Sequence, residues 1–248
     1  MISLRIMLCS VVLLLLNHAF AQGAGPSFAV GSTVIWDQMQ KAPSLTINSP
    51  DGKKTIVTSF QSNHSTNVYD ERHLQLQVQV GNRIFTVNAG RGVGSEVMWA
   101  PDSQAFFLTT SDEGLTGWFH TLIYFVTSHG LKKVNIHQKI ERAFGRPVKC
   151  GSPEFPNIVG VRWIGSSKHL LVAAQIIPHT NCDSNGIFKT YDVLLPDIKI
   201  IHQYGQLETK KRFGEYLGAM LRGAPDECIT NPRSCEVPFN HRVAIQSH

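Results

Sequence analysis

Long apolar runs are scarce in this sequence of 248 residues. The main one, Leu8–Leu16, has about half of the roughly 20 residues that a helix needs to span a bilayer. The basic Arg5 precedes the run, and the small residues Ala19 and Ala21 follow it. This order is typical of a secretory signal cleaved after Ala21. We therefore expect residues 1–21 to be removed, the mature chain to be secreted or periplasmic, and no transmembrane span to follow.

Motifs for catalysis and for metal or cofactor binding are also lacking. The sequence contains no Gly-x-Ser-x-Gly elbow for a nucleophilic serine. The glycine-rich stretch Gly90–Gly94 leads into a strand, whereas phosphate-binding loops open a helix. None of the histidines is paired at ligand spacing; among them are His64, His73, His120, His129, His137 and His179. We expect no catalytic residue, no metal and no cofactor to be recognisable from sequence.

The excess of positive charge is small, with 23 Lys and Arg against 18 Asp and Glu. Nucleic-acid binders usually cluster their basic residues on one face. Here Lys132-Lys133 and Lys210-Lys211-Arg212 are isolated and are expected to be solvated. The balance therefore indicates no nucleic-acid partner, and favours solubility or weak attraction to anionic envelope surfaces.

Four of the five cysteines lie beyond the signal: Cys150, Cys182, Cys228 and Cys235. An even number in an exported chain favours pairing, here as two disulfides. Four cysteines allow three connectivities. The turn signal Asn231-Pro232 favours a local bridge between Cys228 and Cys235, which leaves Cys150 with Cys182. Their spacing does not fit the closely spaced ligand pairs of a zinc site.

Three turn-and-strand segments repeat along the middle of the chain, starting about 51 and 64 residues apart. Each is followed by a loop, a second β-rich run, a tight turn and a third run. In the first unit, Leu74–Val80 alternates strictly between apolar residues and glutamine, which predicts a half-buried strand. The pattern predicts an all-β fold, mainly of antiparallel meanders. The three segments are Ser49–Phe60, Trp99–Thr110 and Trp163–Ala174.

The turns have a shared chemistry. Proline presets the backbone for the first central position of a turn, and Asp51 or Asp102 can accept a local backbone hydrogen bond. The tryptophans Trp99 and Trp163 precede two of the turns. We expect them to be buried anchors that fill the gap between neighbouring sheets.

The motifs Trp-Ala-Pro-Asp-Ser at 99–103 and Ser-Pro-Asp-Gly-Lys-Lys at 49–54 resemble the WD40-like repeats of periplasmic TolB-type β-propellers. The resemblance extends from Ser44 to His202. It implies blade-like units at about 44–90, 95–137 and 158–203, within a β-repeat domain at 22–206. The third unit has Gly165-Ser166 in place of Pro-Asp. With three units, two arrangements are expected: a smaller or open propeller-like one, completed by residues 27–39 with the C-terminal tail, or a sandwich of stacked antiparallel sheets.

The character of the chain changes in residues 207–248. Apolar residues recur every three to four positions and predict one amphipathic helix that ends at Gly223 and packs on the sheet. A disulfide-bearing tail follows. The apolar positions are Leu207, Phe213, Tyr216, Leu217, Met220 and Leu221.

The favoured function is a non-enzymatic binding module of the cell envelope, whose partner is an envelope or extracellular protein. Loops on a rigid scaffold commonly carry recognition, and three are candidates: 61–72, 111–117 and 177–186. They contain His64, Asp112, Glu113 and His179. The alternative is an envelope hydrolase of peptides or glycans, whose active residues meet only in the fold. A pocket with converging acids or histidines would favour the enzyme, and a shallow aromatic or charged face would favour binding.

Overall fold

The computed structural model describes residues 28–35, 44–62, 72–90, 94–111, 118–145, 155–176 and 187–222. The chain folds into three antiparallel sheets, so the predicted all-β class is confirmed. The signal segment 1–21, the four cysteines and the C-terminal tail lie outside the described residues.

Each sheet is a meander in chain order. The first strand, β1 (Thr33–Ile35), belongs to sheet 2. Sheet 1 contains β2 (Thr46–Asn48), β3 (Lys54–Ser62), β4 (Arg72–Val80) and β5 (Arg83–Asn88). Sheet 2 adds β6 (Ser95–Trp99), β7 (Ala105–Ser111), β8 (Phe119–Thr127) and β9 (Gly130–Asn135). Sheet 3 contains β10 (Asn157–Trp163), β11 (His169–Ile176), β12 (Ile187–Leu194) and β13 (Lys199–Gly205). Each unit thus has a strand just before its turn; that of unit 2 was expected after Gly90–Gly94, and those of units 1 and 3 were not predicted.

The sheets stack through two apolar clusters. Ile56, Leu76 and Val78 of sheet 1 pack on one face of sheet 2, which supplies Phe106 and Leu108. The other face of sheet 2 packs on sheet 3 in a second cluster; its members include Phe107, Ile123, Leu170 and Val172. Because both faces of sheet 2 are covered, every residue of β7 is buried.

The alternation predicted for β4 is present in the structure. Leu74, Leu76 and Val78 are fully buried, whereas Gln77 and Gln79 are exposed. A strand with one wet face belongs at the end of a stack, because a sheet between two others has no wet face. Sheet 1 is therefore an end of the stack, and its outer face is polar.

One close approach fixes the distance between sheets 2 and 3. The backbone N–H of Gly160 in β10 donates to the Thr121 hydroxyl of β8 at 2.8 Å. A Cβ atom at this position would lie 2.8 Å from the ring of Phe107, inside van der Waals contact. Only glycine fits there without a shift of the ring or the strand.

Helical segments pack against the cluster between sheets 2 and 3 and against the outer face of sheet 3. Helix α1 (His137–Phe144), which the sequence analysis missed, follows β9 and buries Ile140 and Phe144 in the cluster between sheets 2 and 3. The remaining helical segments lie against the outer face of sheet 3. They are α2 (Gln206–Phe213), a 3-10 turn (Gly214–Tyr216) and α3 (Ala219–Arg222).

The predicted C-terminal helix is present, but it is not continuous from Leu207 onward. The helix is interrupted because the N-terminal segment pairs with its middle: Val30 N–H donates to the Tyr216 carbonyl at 2.9 Å, and Gly218 N–H donates to the Phe28 carbonyl at 2.8 Å. Leu217 and Leu221 are buried, but Leu207 is 66% exposed and does not belong to the packed stripe.

A buried carboxylate holds the N-terminal segment in place. Glu96 of β6 accepts hydrogen bonds from the backbone N–H groups of Phe28 and Ala29, each at 3.0 Å, and from the Ser32 hydroxyl at 2.9 Å. These bonds compensate the cost of burying a polar group that is only 2% exposed. The segment then enters β1, which pairs with β6 at the edge of sheet 2.

Replacing Gly160 by alanine tests the close approach. We expect G160A to lower the free energy of unfolding by about 1–3 kcal/mol, because the new methyl group overpacks the Phe107 ring. Urea denaturation measures the loss. The matched control is Gly205→Ala, where a Cβ meets nothing within 4 Å. Equal stability of G160A and G205A would show that sheets 2 and 3 do not approach this closely.

Candidate functional site

The three repeat turns lie side by side at one end of the stack, which we call the turn end. The backbone N–H of Asp51 donates to the Ser103 hydroxyl at 3.0 Å. The backbone N–H and the hydroxyl of Ser167 both donate to the Asp102 carboxylate at 2.9 Å. Each turn is therefore hydrogen-bonded to the turn of the next sheet.

The tryptophans that precede the turns make a second set of equivalent contacts. The indole N–H of Trp99 donates to the Ile47 carbonyl at 3.3 Å, and that of Trp163 donates to the Met98 carbonyl at 3.1 Å. Ile47 and Met98 occupy corresponding places in consecutive units. Both indole rings are buried, at 7% and 3% exposure. A tryptophan thus forms a hydrogen bond from sheet 2 to sheet 1 and from sheet 3 to sheet 2.

Units 1 and 3 depart from the repeat motif on the side where no further repeat turn is found among the described residues. Unit 1 has Asn48 at the tryptophan position and Gly52 at the serine position, and no repeat turn precedes it among the described residues. Unit 3 has Ser166 at the aspartate position, and the described chain continues from it into helices rather than a fourth turn. The Gly165-Ser166 substitution is therefore explained by position in the stack.

Hydrogen bonds keep both turn aspartates ionised. The Ser49 hydroxyl at 2.6 Å and the Lys53 N–H at 3.0 Å hold the pKa of Asp51 well below its usual range. Partial burial opposes ionisation of Asp102, but the N–H groups of Ser167 and Gln104 outweigh it and lower its pKa. These carboxylates are occupied in holding turns, so the turn end is a structural feature.

The opposite end of the stack holds the strand tips that flank the three candidate loops, and we call it the loop end. In each unit the second strand ends there and the third begins there, and the two are paired to their tips: Ser62 with Arg72, Ser111 with Phe119, and Ile176 with Ile187. The residues proposed within these loops, His64, Asp112, Glu113 and His179, lie outside the described residues.

An exposed aromatic pair lies at the loop end. Trp118 is 60% exposed and Phe155 is 38% exposed. Their ring centroids are 5.0 Å apart in an edge-to-face arrangement. The neighbouring backbone is fixed, because Phe119 N–H donates to the Asn157 side-chain oxygen at 2.9 Å. Tryptophan with one wet face is a residue type enriched in binding hot spots.

A groove of about 530 Å³ runs along the rim between sheets 1 and 2. Burial raises the pKa of its Tyr124 to about 12, so this phenol is neutral at physiological pH. Among the described residues that line the groove, Lys133 is the charged one, and none is an acid or a histidine. The lining is formed by Ile84, Phe85, Thr86, Val87, Asn88, Tyr124, Leu131 and Lys133.

One acid–histidine pair lies on the outer face of sheet 3. His169 Nδ1 and Asp192 Oδ1 are 3.9 Å apart, which is too far for a hydrogen bond. Burial, and then the negative charge of Asp192, raise the pKa of the nearby Tyr204. Within the described ranges, no three or more His, Cys, Asp or Glu side chains form a group that could hold a metal ion. In the same ranges, no helix has the length and apolar character required to cross a bilayer.

The sequence patterns located the turns but missed several surface features. Trp118 reads as the start of a strand, and Phe155 lies far from it in sequence, so nothing indicated their pairing. The groove depends on how two sheets meet at their rims, which no local pattern reports. No protein-family model, curated protein or solved structure matches the chain.

Removing the charge of Asp102 tests its role at the turn end. The pKa of Asp102 is lower in the folded protein than in the unfolded chain, where it is about 3.9. Its carboxylate therefore stabilises the fold above the unfolded pKa, and this stabilisation is lost as the pH falls through the folded pKa. Asp102→Asn should therefore lower stability at pH 7 by about 0.5–1 kcal/mol, since the side chain is exposed to solvent, and by less near pH 3.

A double-mutant cycle with Ser167→Ala isolates the contact. If Asp102 acts through Ser167, the effects of D102N and S167A on urea unfolding are less than additive. Fully additive losses at pH 7 would contradict the assignment.

Proposed function

We propose that the chain is an exported, non-enzymatic protein-binding module of the cell envelope, in which blade-like units related to TolB-type propeller repeats form the scaffold. The main support is the contrast between the two ends of the stack. The turn end is occupied by hydrogen bonds between sheets. The loop end carries the three long hairpin openings and the exposed Trp118–Phe155 pair.

The aromatic pair suits recognition of a protein. Trp118 presents a large apolar surface on a backbone that is fixed through Asn157, so little conformational entropy is lost when a partner covers it. Aromatic side chains of this kind contribute much of the energy of protein interfaces. We propose an envelope or extracellular protein as the partner, because the signal predicted at residues 1–21 would direct the mature chain to that compartment.

The hydrolase alternative has weaker support. Among the described residues, its best feature is the pair of His169 and Asp192, which makes no hydrogen bond at 3.9 Å. A general base needs to be oriented by its carboxylate at hydrogen-bond distance. The groove between sheets 1 and 2 offers no acid or histidine in its lining. The observations therefore favour binding over hydrolysis.

Site-specific photo-crosslinking tests the binding proposal. A photo-reactive amino acid replaces Trp118 in the mature protein, and a matched variant carries it at Lys53, which is exposed at the turn end. After irradiation in envelope extract, we expect one discrete crosslinked protein from position 118 and none from position 53. Trp118→Ala should reduce recovery of the same protein in a pull-down by about tenfold.

Other outcomes would contradict the proposal. Crosslinking from position 53 but not from 118 would move the interface to the turn end. Absence of any crosslinked partner from both positions, with the protein monomeric and folded, would remove the basis for an interaction module.

A further inference from the structure

Strand β5 is an edge of sheet 1, and no other described strand pairs with its outer side. The backbone groups that point outward can be assigned from the register. The tight turn Gly81-Asn82 joins β4 to β5, with Val80 opposite Arg83. Residues that flank a two-residue turn exchange both backbone hydrogen bonds, and such pairs alternate along the ladder. The N–H and C=O groups that point away from β4 are therefore those of Ile84, Thr86 and Asn88. All three of these residues line the groove between sheets 1 and 2.

The corresponding edge strands of the other two sheets carry lysine, whereas the one charged residue of β5 is Arg83 at its first position. Strand β9 carries the exposed Lys132 and Lys133, and β13 carries the exposed Lys199. Lysine on an edge strand discourages pairing with another chain. Between Arg83 and Asn88, β5 has no charge, and its Ile84 is 62% exposed.

The facing sheet completes a site for an added strand. Phe85 and Val87 point into the cluster between sheets 1 and 2, and Tyr124 and Leu131 of sheet 2 lie opposite them. Lys133 lies at the same wall of the groove. An extended peptide placed beside β5 would thus meet backbone partners on one side, apolar surface beneath and a positive charge across the groove.

We propose that β5 and this groove bind an extended segment of another protein as an additional strand of sheet 1. Alternate side chains of the segment enter the groove, and an acidic side chain pairs with Lys133. Backbone hydrogen bonds to Ile84, Thr86 and Asn88 supply affinity, and the apolar wall with its single cation supplies selectivity.

Charge argues for an acidic peptide rather than a second copy of this chain. Antiparallel pairing of two β5 edges would bring Lys133 and Arg83 of each copy toward those of the other. The groove lining contains no acid to compensate them. Like charges placed face to face disfavour such a contact.

Direct binding to purified mature protein, without any extract, tests the proposal separately from the loop-end function. The probe is a fluorescein-labelled peptide of nine residues that alternates valine and threonine and has aspartate at each end. A second peptide has lysine at both ends. A third has the aspartate sequence with alternate backbone nitrogens methylated, which removes strand pairing but keeps the side chains. Fluorescence anisotropy measures affinity, and sedimentation measures oligomeric state.

We expect the aspartate peptide to bind more tightly than the lysine peptide, and the methylated peptide not to bind.

Thr86→Pro should weaken binding by about tenfold, because proline removes an edge-directed N–H that β4 does not use. Thr46→Pro is the matched control, since β2 is the opposite edge of sheet 1 and Thr46 is exposed. Lys133→Glu, a surface change, should invert the preference between the two charged peptides.

Several results would overturn the proposal. No binding by the wild-type protein at about 1 mM peptide, equal binding of the methylated peptide, or an unchanged charge preference in K133E would each do so. Dimerisation that Thr86→Pro abolishes would assign the edge to a second copy. If Thr86→Pro fails to fold by circular dichroism, the methylated peptide and K133E still decide the matter.

Discussion

Contact between consecutive sheets is the constraint on which the other features depend. A tryptophan indole donates to a carbonyl of the preceding sheet at both junctions, through Trp99 and Trp163. Beside the tryptophan, a turn serine is hydrogen-bonded to the aspartate of the preceding turn. The Ser103 hydroxyl accepts from the Asp51 N–H, and the hydroxyl and N–H of Ser167 donate to the Asp102 carboxylate. These polar contacts have fixed direction, whereas the apolar clusters around them could slide. The clusters supply the larger energy, and the hydrogen bonds select one register from those the clusters would allow.

The close junction between sheets 2 and 3 shows how polar and apolar terms combine. Thr109 and Thr121 share a hydrogen bond at 2.8 Å, and Thr121 also donates to the Ile158 carbonyl of the facing sheet. The same hydroxyl receives the Gly160 N–H. The buried threonine hydroxyls of sheet 2 are thereby hydrogen-bonded to β10, the edge strand of sheet 3. Because Gly160 has no side chain, the two sheets can approach closely enough for these bonds to form. On the outer face of sheet 3, Thr190 makes an analogous bond to Thr209 of α2 at 2.7 Å. Helix α2 therefore covers this face of sheet 3 in the way that a neighbouring sheet covers each face of sheet 2.

The features that sequence reasoning found are those encoded locally. Alternation at Leu74–Val80 and the proline-containing turns report strand and turn directly, because side-chain period and backbone preference depend on neighbouring residues. The strands before the first and third turns were not predicted, since β2 has only 3 residues and β10 is buried almost throughout, without alternation. The break in the C-terminal helix was not predictable from its own apolar spacing, because its cause is pairing with Phe28 and Val30, nearly 200 residues away. The groove and the Trp118–Phe155 pair likewise arise from distant segments that meet only in the fold.

The asymmetry of the junctions gives the stack a polarity. Units 2 and 3 each donate through a tryptophan to the preceding unit, and units 1 and 2 each place an aspartate against the serine of the following turn. Only the middle unit carries the full set of Trp99, Asp102 and Ser103; the outer units each lack groups on the side where no further unit is found among the described residues. The middle unit is thus the one whose sequence suits a neighbour on both sides. A second copy of it, inserted beside the first, would find the same contacts on each side and would lengthen the scaffold by one sheet.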